Sequence, residues 1–118
     1  MSYSKLCRWL AIGWTIVILI GCLTPHDRLP DTLLDWSDKL QHLAIFALFT
    51  LLWIEAGYSP GIVVIVGILF GGLIEVLQYS LPINRSGDWE DLVADSIGAV
   101  LGFVLSRIWS RLYPNPRF

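Results

Sequence analysis

The chain has 118 residues, of which 55% are hydrophobic and only 15% are charged. A soluble domain covers its core with about a quarter charged residues, so this composition favours an integral membrane protein. The formal net charge of −2 excludes a nucleic-acid-binding protein, because no basic face is available to neutralise phosphates. The high apolar content also excludes an intrinsically disordered chain.

Four apolar segments, each roughly 20 residues long, predict an all-α, integral-membrane four-helix bundle that forms one domain over residues 1–118. The predicted helices cover residues 6–23, 39–56, 61–81 and 92–109. Charged residues, Pro or Gly bound each segment. The clearest boundary is the stretch from Gly57 to Gly61, which contains Pro60 and is typical of a turn between helices.

The distribution of basic residues predicts the orientation of the bundle. Five of the eight basic residues lie on the side of the two termini, and three lie on the opposite side. Because Lys and Arg near helix ends tend to remain in the cytoplasm, both termini are expected to be cytoplasmic. The five are Lys5, Arg8, Arg107, Arg111 and Arg117.

The two cysteines, Cys7 and Cys22, are too few for a disulfide scaffold or a zinc site built on thiolates. On one helix they are too far apart to pair with each other. Residues 19–22 follow a basic start and resemble the lipobox of a bacterial lipoprotein signal peptide. The three further hydrophobic segments favour the other interpretation, in which both cysteines are small apolar residues of a membrane helix.

Two pairs of glycines are each separated by three residues, Gly67 with Gly71 and Gly98 with Gly102. Small residues at this spacing let two membrane helices approach closely. We expect both pairs to mark contacts between helices of the same chain, with homodimerisation as the alternative.

Eight polar residues lie near one end of the predicted bundle, at the start of the second and fourth helices and around the end of the third. Successive helices alternate in direction, so these positions fall on the same side of the membrane, opposite the termini. Ionisable groups inside a membrane are costly and usually mark function. The residues are Asp38, Lys39, His42, Glu75, Gln78, Arg85, Asp91 and Asp95. Glu55 falls on the other side and is interpreted as an interfacial charge.

Each polar residue also has a structural interpretation. Asp38 can cap the second helix, Lys39 can extend to the headgroups, and His42 can form an interhelical hydrogen bond. Glu75 is the hardest to explain in this way, because a carboxylate so deep must be protonated, paired with a cation or bound to a metal. The whole set can therefore be a polar clamp or a functional site.

The order and spacing of these residues resemble the VanZ-like family of small bacterial membrane proteins. The resemblance covers about residues 37–103 and consists of Asp-Lys-x-x-His at 38–42, Glu-x-x-Gln at 75–78, Arg85, Asp-x-x-x-Asp at 91–95 and Gly-x-x-x-Gly at 98–102. Asp95 departs from the pattern, because Asn is expected there. The resemblance implies a multi-pass protein of the bacterial inner membrane, in a family whose namesake is associated with resistance to the glycopeptide teicoplanin.

The first functional hypothesis is a cell-envelope protein whose outward-facing polar pocket binds or reorganises an amphiphile, such as a membrane lipid or a lipid-linked envelope precursor. Lys39 and Arg85 would contact phosphate or carboxylate groups of that ligand. The carboxylates would hold those two cations in place. The ligand-binding set would be Lys39, Arg85, Gln78, Asp38 and Asp95.

The second hypothesis is an integral-membrane hydrolase or transferase that acts on a lipid-linked substrate. His42, Glu75 and Asp91 are the candidate catalytic residues, acting as general acid and base or, together with Asp95, as ligands of a divalent metal. No cofactor is assigned from the residues, and the identity of such a metal is left open. The sequence contains neither His-Glu-x-x-His nor Gly-x-Ser-x-Gly, so it does not decide whether the protein is an enzyme.

Overall fold

The computed structural model describes residues 1–24, 38–81 and 89–113. In these ranges the chain forms four helices: α1 (Tyr3–Leu23), α2 (Asp38–Glu55), α3 (Pro60–Ser80) and α4 (Trp89–Leu112). The prediction of an all-α four-helix fold is confirmed, and the helix bounds lie close to the predicted ones. Arg85 and the segment that contains it lie outside the described residues.

Local chemistry accounts for two of the helix boundaries. The side chain of Ser2 accepts a hydrogen bond from the backbone N–H of Lys5, at 3.2 Å, and so caps the start of α1. The turn after α2 contains Gly57 with a φ of 107°, a left-handed conformation that glycine adopts without a steric penalty. Pro60 then begins α3, where its missing N–H costs no helical hydrogen bond.

Contacts between helix ends establish the topology. Tyr3 at the start of α1 meets Glu55 at the end of α2, so these two helices run in opposite directions. Lys39 and Asp91 join the starts of α2 and α4, which therefore run the same way. The end of α3 meets the end of α1 through Gln78. The bundle thus alternates in direction from one helix to the next, as the sequence predicts.

The closest packing is between α2 and α4, and two glycines permit it. A Cβ atom at Gly98 would collide with the carbonyl of Leu43, and one at Gly102 would collide with the carbonyl of Ala47. Thr50 crosses the same interface, because its hydroxyl donates to the carbonyl of Ala99 at 2.9 Å. The expected role of the second glycine pair as a contact between helices is confirmed.

The first glycine pair lies where α3 meets the other helices. A Cβ at Gly67 would come within 3.2 Å of Thr50 on α2, and one at Gly71 within 2.8 Å of the Asp95 carboxylate on α4. The apolar core lies beside these contacts. Its buried members come from α1, α2 and α3: Ile18, Cys22, Phe46, Phe49 and Ile74.

The outer surface of the bundle is apolar. Large aliphatic and aromatic side chains are exposed along α1, α3 and α4, including Leu69, which is 68% exposed. Such a surface would be an aggregation hazard in water but suits contact with lipid tails. These three helices are long and apolar enough to span a membrane. The crossing of α2, whose ends carry Asp38, Lys39 and Glu55, stays a prediction, as does the orientation of the termini.

Candidate functional site

Five of the predicted site residues lie together at one end of the bundle, and we call them the polar layer: Lys39, His42, Glu75, Asp91 and Asp95. The layer is assembled from three helices. Two members share a face of α2 because they are three residues apart, two share a face of α4 because they are four apart, and the fifth comes from α3. The tight α2 and α4 interface brings the first two pairs into contact.

The outer part of the layer is an ion pair between Lys39 and Asp91. The Lys39 ammonium donates to Oδ1 of Asp91 at 2.6 Å. The Lys39 side chain is 41% exposed, whereas that of Asp91 is only 6% exposed. A charge-assisted hydrogen bond of this kind holds the ammonium at the edge of the layer, where it remains accessible from outside.

The inner part of the layer is a buried pair between His42 and Asp95. Nδ1 of His42 lies 2.7 Å from Oδ1 of Asp95, and Nε2 of the same ring lies 3.7 Å from Oδ2 of Asp91. The side chains of His42 and Asp95 are 5% and 0% exposed. The imidazole therefore bridges two carboxylates, and a continuous polar chain runs from Asp95 through His42 and Asp91 to Lys39.

Asp95 has one carboxylate oxygen without a hydrogen-bond partner in the described part of the chain. Its Oδ2 atom is buried and has no hydrogen-bond partner among the described residues. Gly71 on α3 lies against this same oxygen, since a side chain there would come within 2.8 Å of it. A buried carboxylate oxygen without a donor costs free energy, which favours a role beyond packing.

Glu75 approaches the buried pair from α3. It is 8% exposed, and it offers a carboxylate oxygen to a group with His42 and Asp95 in which the three ligand atoms lie within 4.8 Å of one another. One imidazole nitrogen and two carboxylates at this separation form a potential chelate for a divalent cation. They also form a potential pair of proton donor and acceptor.

The three remaining predicted site residues are not part of the polar layer as the structure describes it. Gln78 is buried at the same end, but its side-chain amide donates to the carbonyl of Cys22 on α1 at 2.8 Å, so it ties α3 to α1. Asp38 is the first residue of α2, and its side chain lies outside the described part of the structure. Arg85 also lies outside the described residues.

A groove of about 630 Å³ runs along the outside of α2 and α4 next to the polar layer. Lys39 and Glu90 line its polar part, and most of the remaining wall is apolar. The apolar wall includes Leu43, Val93 and Ile97. A charged group beside an apolar channel is the arrangement that an amphiphile with a polar headgroup needs.

A second polar cluster lies at the opposite end of the bundle, and the interpretation of Glu55 as an interfacial charge is wrong. Glu55 is only 3% exposed. The hydroxyl of Tyr3 donates to its Oε1 at 2.5 Å, and the hydroxyl of Ser106 donates to its Oε2 at 2.6 Å. Trp109 donates to the Tyr3 hydroxyl at 3.1 Å. We call these four residues the Glu55 network.

The sequence contains a signal for part of this network. Ser106 follows Gly98 and Gly102 at the same spacing of four, so it continues the row of small residues that faces α2. Glu55 is an ionisable residue inside an apolar segment, which should also have suggested an interior position. Tyr3 precedes the predicted start of the first helix, and no pattern in the sequence points to its role.

Comparison with known proteins places most of the chain in one family. The model of the VanZ/LLP1 family matches residues 9–110, which include all of α2 and α3, most of α1 and α4, and the whole polar layer. No curated protein matches the chain. No solved structure matches it either.

Proposed function

The chain belongs to the VanZ/LLP1 family, and we propose that this membrane protein binds an amphiphilic component of the cell envelope in the groove beside its polar layer. The headgroup would carry a phosphate or carboxylate and would contact Lys39. The hydrophobic tail would follow the apolar wall between α2 and α4. The observation that carries the proposal is the groove itself, with an accessible ammonium in its polar part and apolar side chains along most of the remaining wall.

The size of the groove supports a ligand of this class. Its volume of about 630 Å³ lies within the range of ordinary small-molecule sites. The groove lies on the outside of α2 and α4, so a tail in the surrounding bilayer would enter it sideways without leaving the membrane. Because the outer surface of α4 is apolar around Ile97, the bound tail would remain in contact with lipid.

The charges around the groove determine which headgroup fits. Asp91 holds the Lys39 ammonium with a hydrogen bond of 2.6 Å, and the Lys39 side chain is 41% exposed. A phosphate or carboxylate would approach Lys39 from this exposed side. Glu90 lines the same groove and opposes an anion, so its charge tunes the affinity downward.

The proposal is tested by binding of a fluorescent polyprenyl phosphate to the detergent-purified protein. We expect Lys39→Gln to weaken binding and Glu90→Gln to strengthen it, each by roughly three- to tenfold, because one charge near the headgroup changes. Ile97→Trp fills the groove and should abolish binding. Leu69→Trp, on the exposed face of α3, is the matched control and should bind normally. Equal binding by wild type, Lys39→Gln and Ile97→Trp would refute the proposal.

We further propose that the protein resides in a bacterial inner membrane with both termini cytoplasmic, so that the polar layer faces outward. The excess of basic residues on the side of the termini supports this orientation. A reporter that functions only in the cytoplasm should be active when it is fused to either terminus. A reporter that functions only outside the cytoplasm should be inactive at both. A link with teicoplanin resistance predicts that expression raises the inhibitory concentration of teicoplanin and that Lys39→Gln removes this effect.

The buried His42 and Asp95 pair favours one alternative, an integral-membrane hydrolase or transferase. A carboxylate that accepts from Nδ1 orients an imidazole for proton transfer at Nε2, as general base catalysis requires. Under this alternative His42→Ala abolishes turnover of a lipid-linked phosphate while the polyprenyl phosphate still binds. Under the binding proposal alone, no turnover is detected in the wild type.

A further inference from the structure

We propose that His42, Glu75 and Asp95 form a binding site for one divalent cation of the zinc or manganese class. The cation would displace the proton that His42 Nδ1 and Asp95 Oδ1 share, and that proton would be released to solvent on binding. The site lies in the interior of the bundle, separate from the groove between α2 and α4. The inference therefore stands independently of amphiphile binding.

The geometry of the three side chains is close to that of a metal chelate. Their ligand atoms lie within 4.8 Å of one another. Zinc binds nitrogen and carboxylate oxygen at about 2.0 to 2.2 Å, so two ligands of one tetrahedral ion lie about 3.3 to 3.6 Å apart. Side-chain rotations that move the ligand atoms by roughly 1 Å would close this difference. The three ligands come from α2, α3 and α4, so a bound ion would join three helices.

Asp95 supplies an independent indication of a ligand. Its Oδ2 atom is buried in a side chain that is 0% exposed and has no hydrogen-bond partner among the described residues. Gly71 leaves just enough space for this oxygen, because any side chain there would press on it. A protein that only needed a hydrogen bond to His42 would be served by one carboxylate oxygen. A cation bound by both carboxylate oxygens would also satisfy the second.

The surroundings of His42 are similar to the support that metal-bound histidines receive. When Nδ1 binds the ion, Nε2 carries the ring proton and faces Oδ2 of Asp91 at 3.7 Å, an electrostatic contact that is longer than a hydrogen bond. Asp91 is itself held by Lys39 at 2.6 Å. A carboxylate on the far ring nitrogen fixes the tautomer and orientation of a ligating imidazole. Lys39 and Asp91 would therefore position His42 without touching the ion.

The donor set indicates the class of ion and its function. One imidazole with two carboxylates suits zinc or manganese and differs from the all-oxygen sites of calcium and magnesium. Three protein ligands leave a coordination position open, as in catalytic rather than purely structural zinc sites. Water or a polar group of a substrate would occupy that position.

The test is metal binding by the full-length protein in detergent, with any polyhistidine tag removed and metals stripped by chelator. Titration with Zn²⁺ and, separately, Mn²⁺ is followed by calorimetry and by elemental analysis of the desalted protein. We expect about one ion per chain for at least one of the two metals, together with a rise in the thermal midpoint. Asp95→Asn keeps the side-chain shape and should remove the binding. Asp91→Asn should weaken it by roughly 10- to 100-fold, as loss of outer support does.

Two controls distinguish this site from adventitious binding. Glu55→Gln alters a buried carboxylate at the other end of the bundle and should bind metal like the wild type. His26→Ala removes the second histidine of the chain, with the same expectation. No stoichiometric binding by the wild type overturns the inference. So does undiminished binding by Asp95→Asn, or loss of binding in His26→Ala alone.

Discussion

The two ends of the bundle each bury a carboxylate on the α2 and α4 interface, but they satisfy it in opposite ways. In the Glu55 network both oxygens of Glu55 accept hydrogen bonds from neutral hydroxyl groups, those of Tyr3 and Ser106. In the polar layer Asp95 pairs with an ionisable partner, His42, through one oxygen, and its second oxygen lacks a donor among the described residues. Among the described residues, both carboxylate oxygens accept hydrogen bonds at one end of the bundle, and only one of the two does so at the other end.

This difference helps to distinguish buried polar groups that stabilise the fold from buried polar groups that bind a ligand. A buried group whose hydrogen bonds are all made stabilises the fold, and removing it leaves its partners unsatisfied. A buried group with an unmet acceptor is retained at a cost in stability. That cost has a physical explanation when a ligand meets the acceptor. The comparison therefore predicts that the Glu55 network stabilises the fold, and it supports the proposal that the polar layer binds a ligand.

The largest loss of stability is expected for Glu55→Ala. The change leaves the hydroxyl groups of Tyr3 and Ser106 without their acceptor. Ser106 is buried, and an unsatisfied buried group costs about 1 to 3 kcal/mol, whereas Tyr3 is 40% exposed and contributes less. We expect a loss of about 3 kcal/mol in the free energy of unfolding, measured by reversible denaturation in detergent. Zinc binding in the polar layer should persist in the fraction that remains folded.

Glu55→Gln is the matched control for this substitution. Glutamine retains one carbonyl oxygen in the same position but presents an amide donor in place of the second, so a loss of about 1 kcal/mol is expected. If Glu55→Ala were as stable as the wild type, the Glu55 network would contribute nothing to the fold. The contrast between the two ends would then fail.

A smaller loss is expected for Gly98→Ala, which tests the interface that both clusters share. The added methyl group would collide with the carbonyl of Leu43 and force α2 and α4 apart. Overpacking of this kind costs about 1 to 3 kcal/mol, and we expect about 2 kcal/mol. Gly13→Ala on α1 is the control, because nothing lies within 4 Å of the new atom. It should be as stable as the wild type or slightly more so.

Much of this architecture is accessible from the sequence, for definite physical reasons. Apolar runs long enough to cross a bilayer, the turn at Gly57 and the small residues at Gly98 and Gly102 each act locally, so they predict helices and the α2 and α4 contact. Alternating helix direction then places residues as distant as Lys39 and Asp91 at one end. The contact between His42 and Asp95 was not predictable, because it depends on the rotation of each helix about its axis. Glu55 lies inside an apolar segment, which indicates an interior position, but its contact with Tyr3 was not predictable because no pattern links the two residues.

A still smaller loss of stability is expected for Gln78→Leu, which tests whether the end of α3 belongs to the site. The side-chain amide of Gln78 donates to the carbonyl of Cys22, so the substitution removes one hydrogen bond between α3 and α1. We expect a loss of about 1 kcal/mol in stability and unchanged zinc and polyprenyl phosphate affinities. A variant of normal stability that no longer bound either ligand would place Gln78 in the site instead of in the scaffold.

The smallest change in stability is expected for Asp95→Asn in the presence of a chelator. This variant best distinguishes a ligand site from a part of the scaffold. Asparagine keeps an oxygen for His42 and replaces the unsatisfied carboxylate oxygen with a neutral amide, so the loss of a buried charge offsets the weaker hydrogen bond. We expect a stability within about 1 kcal/mol of the wild type, which then rises with Zn²⁺ only in the wild type. A variant several kcal/mol less stable in chelator would show that Asp95, like Glu55, is required for folding. The polar layer would then belong to the scaffold, and its unmet oxygen would no longer argue for a ligand.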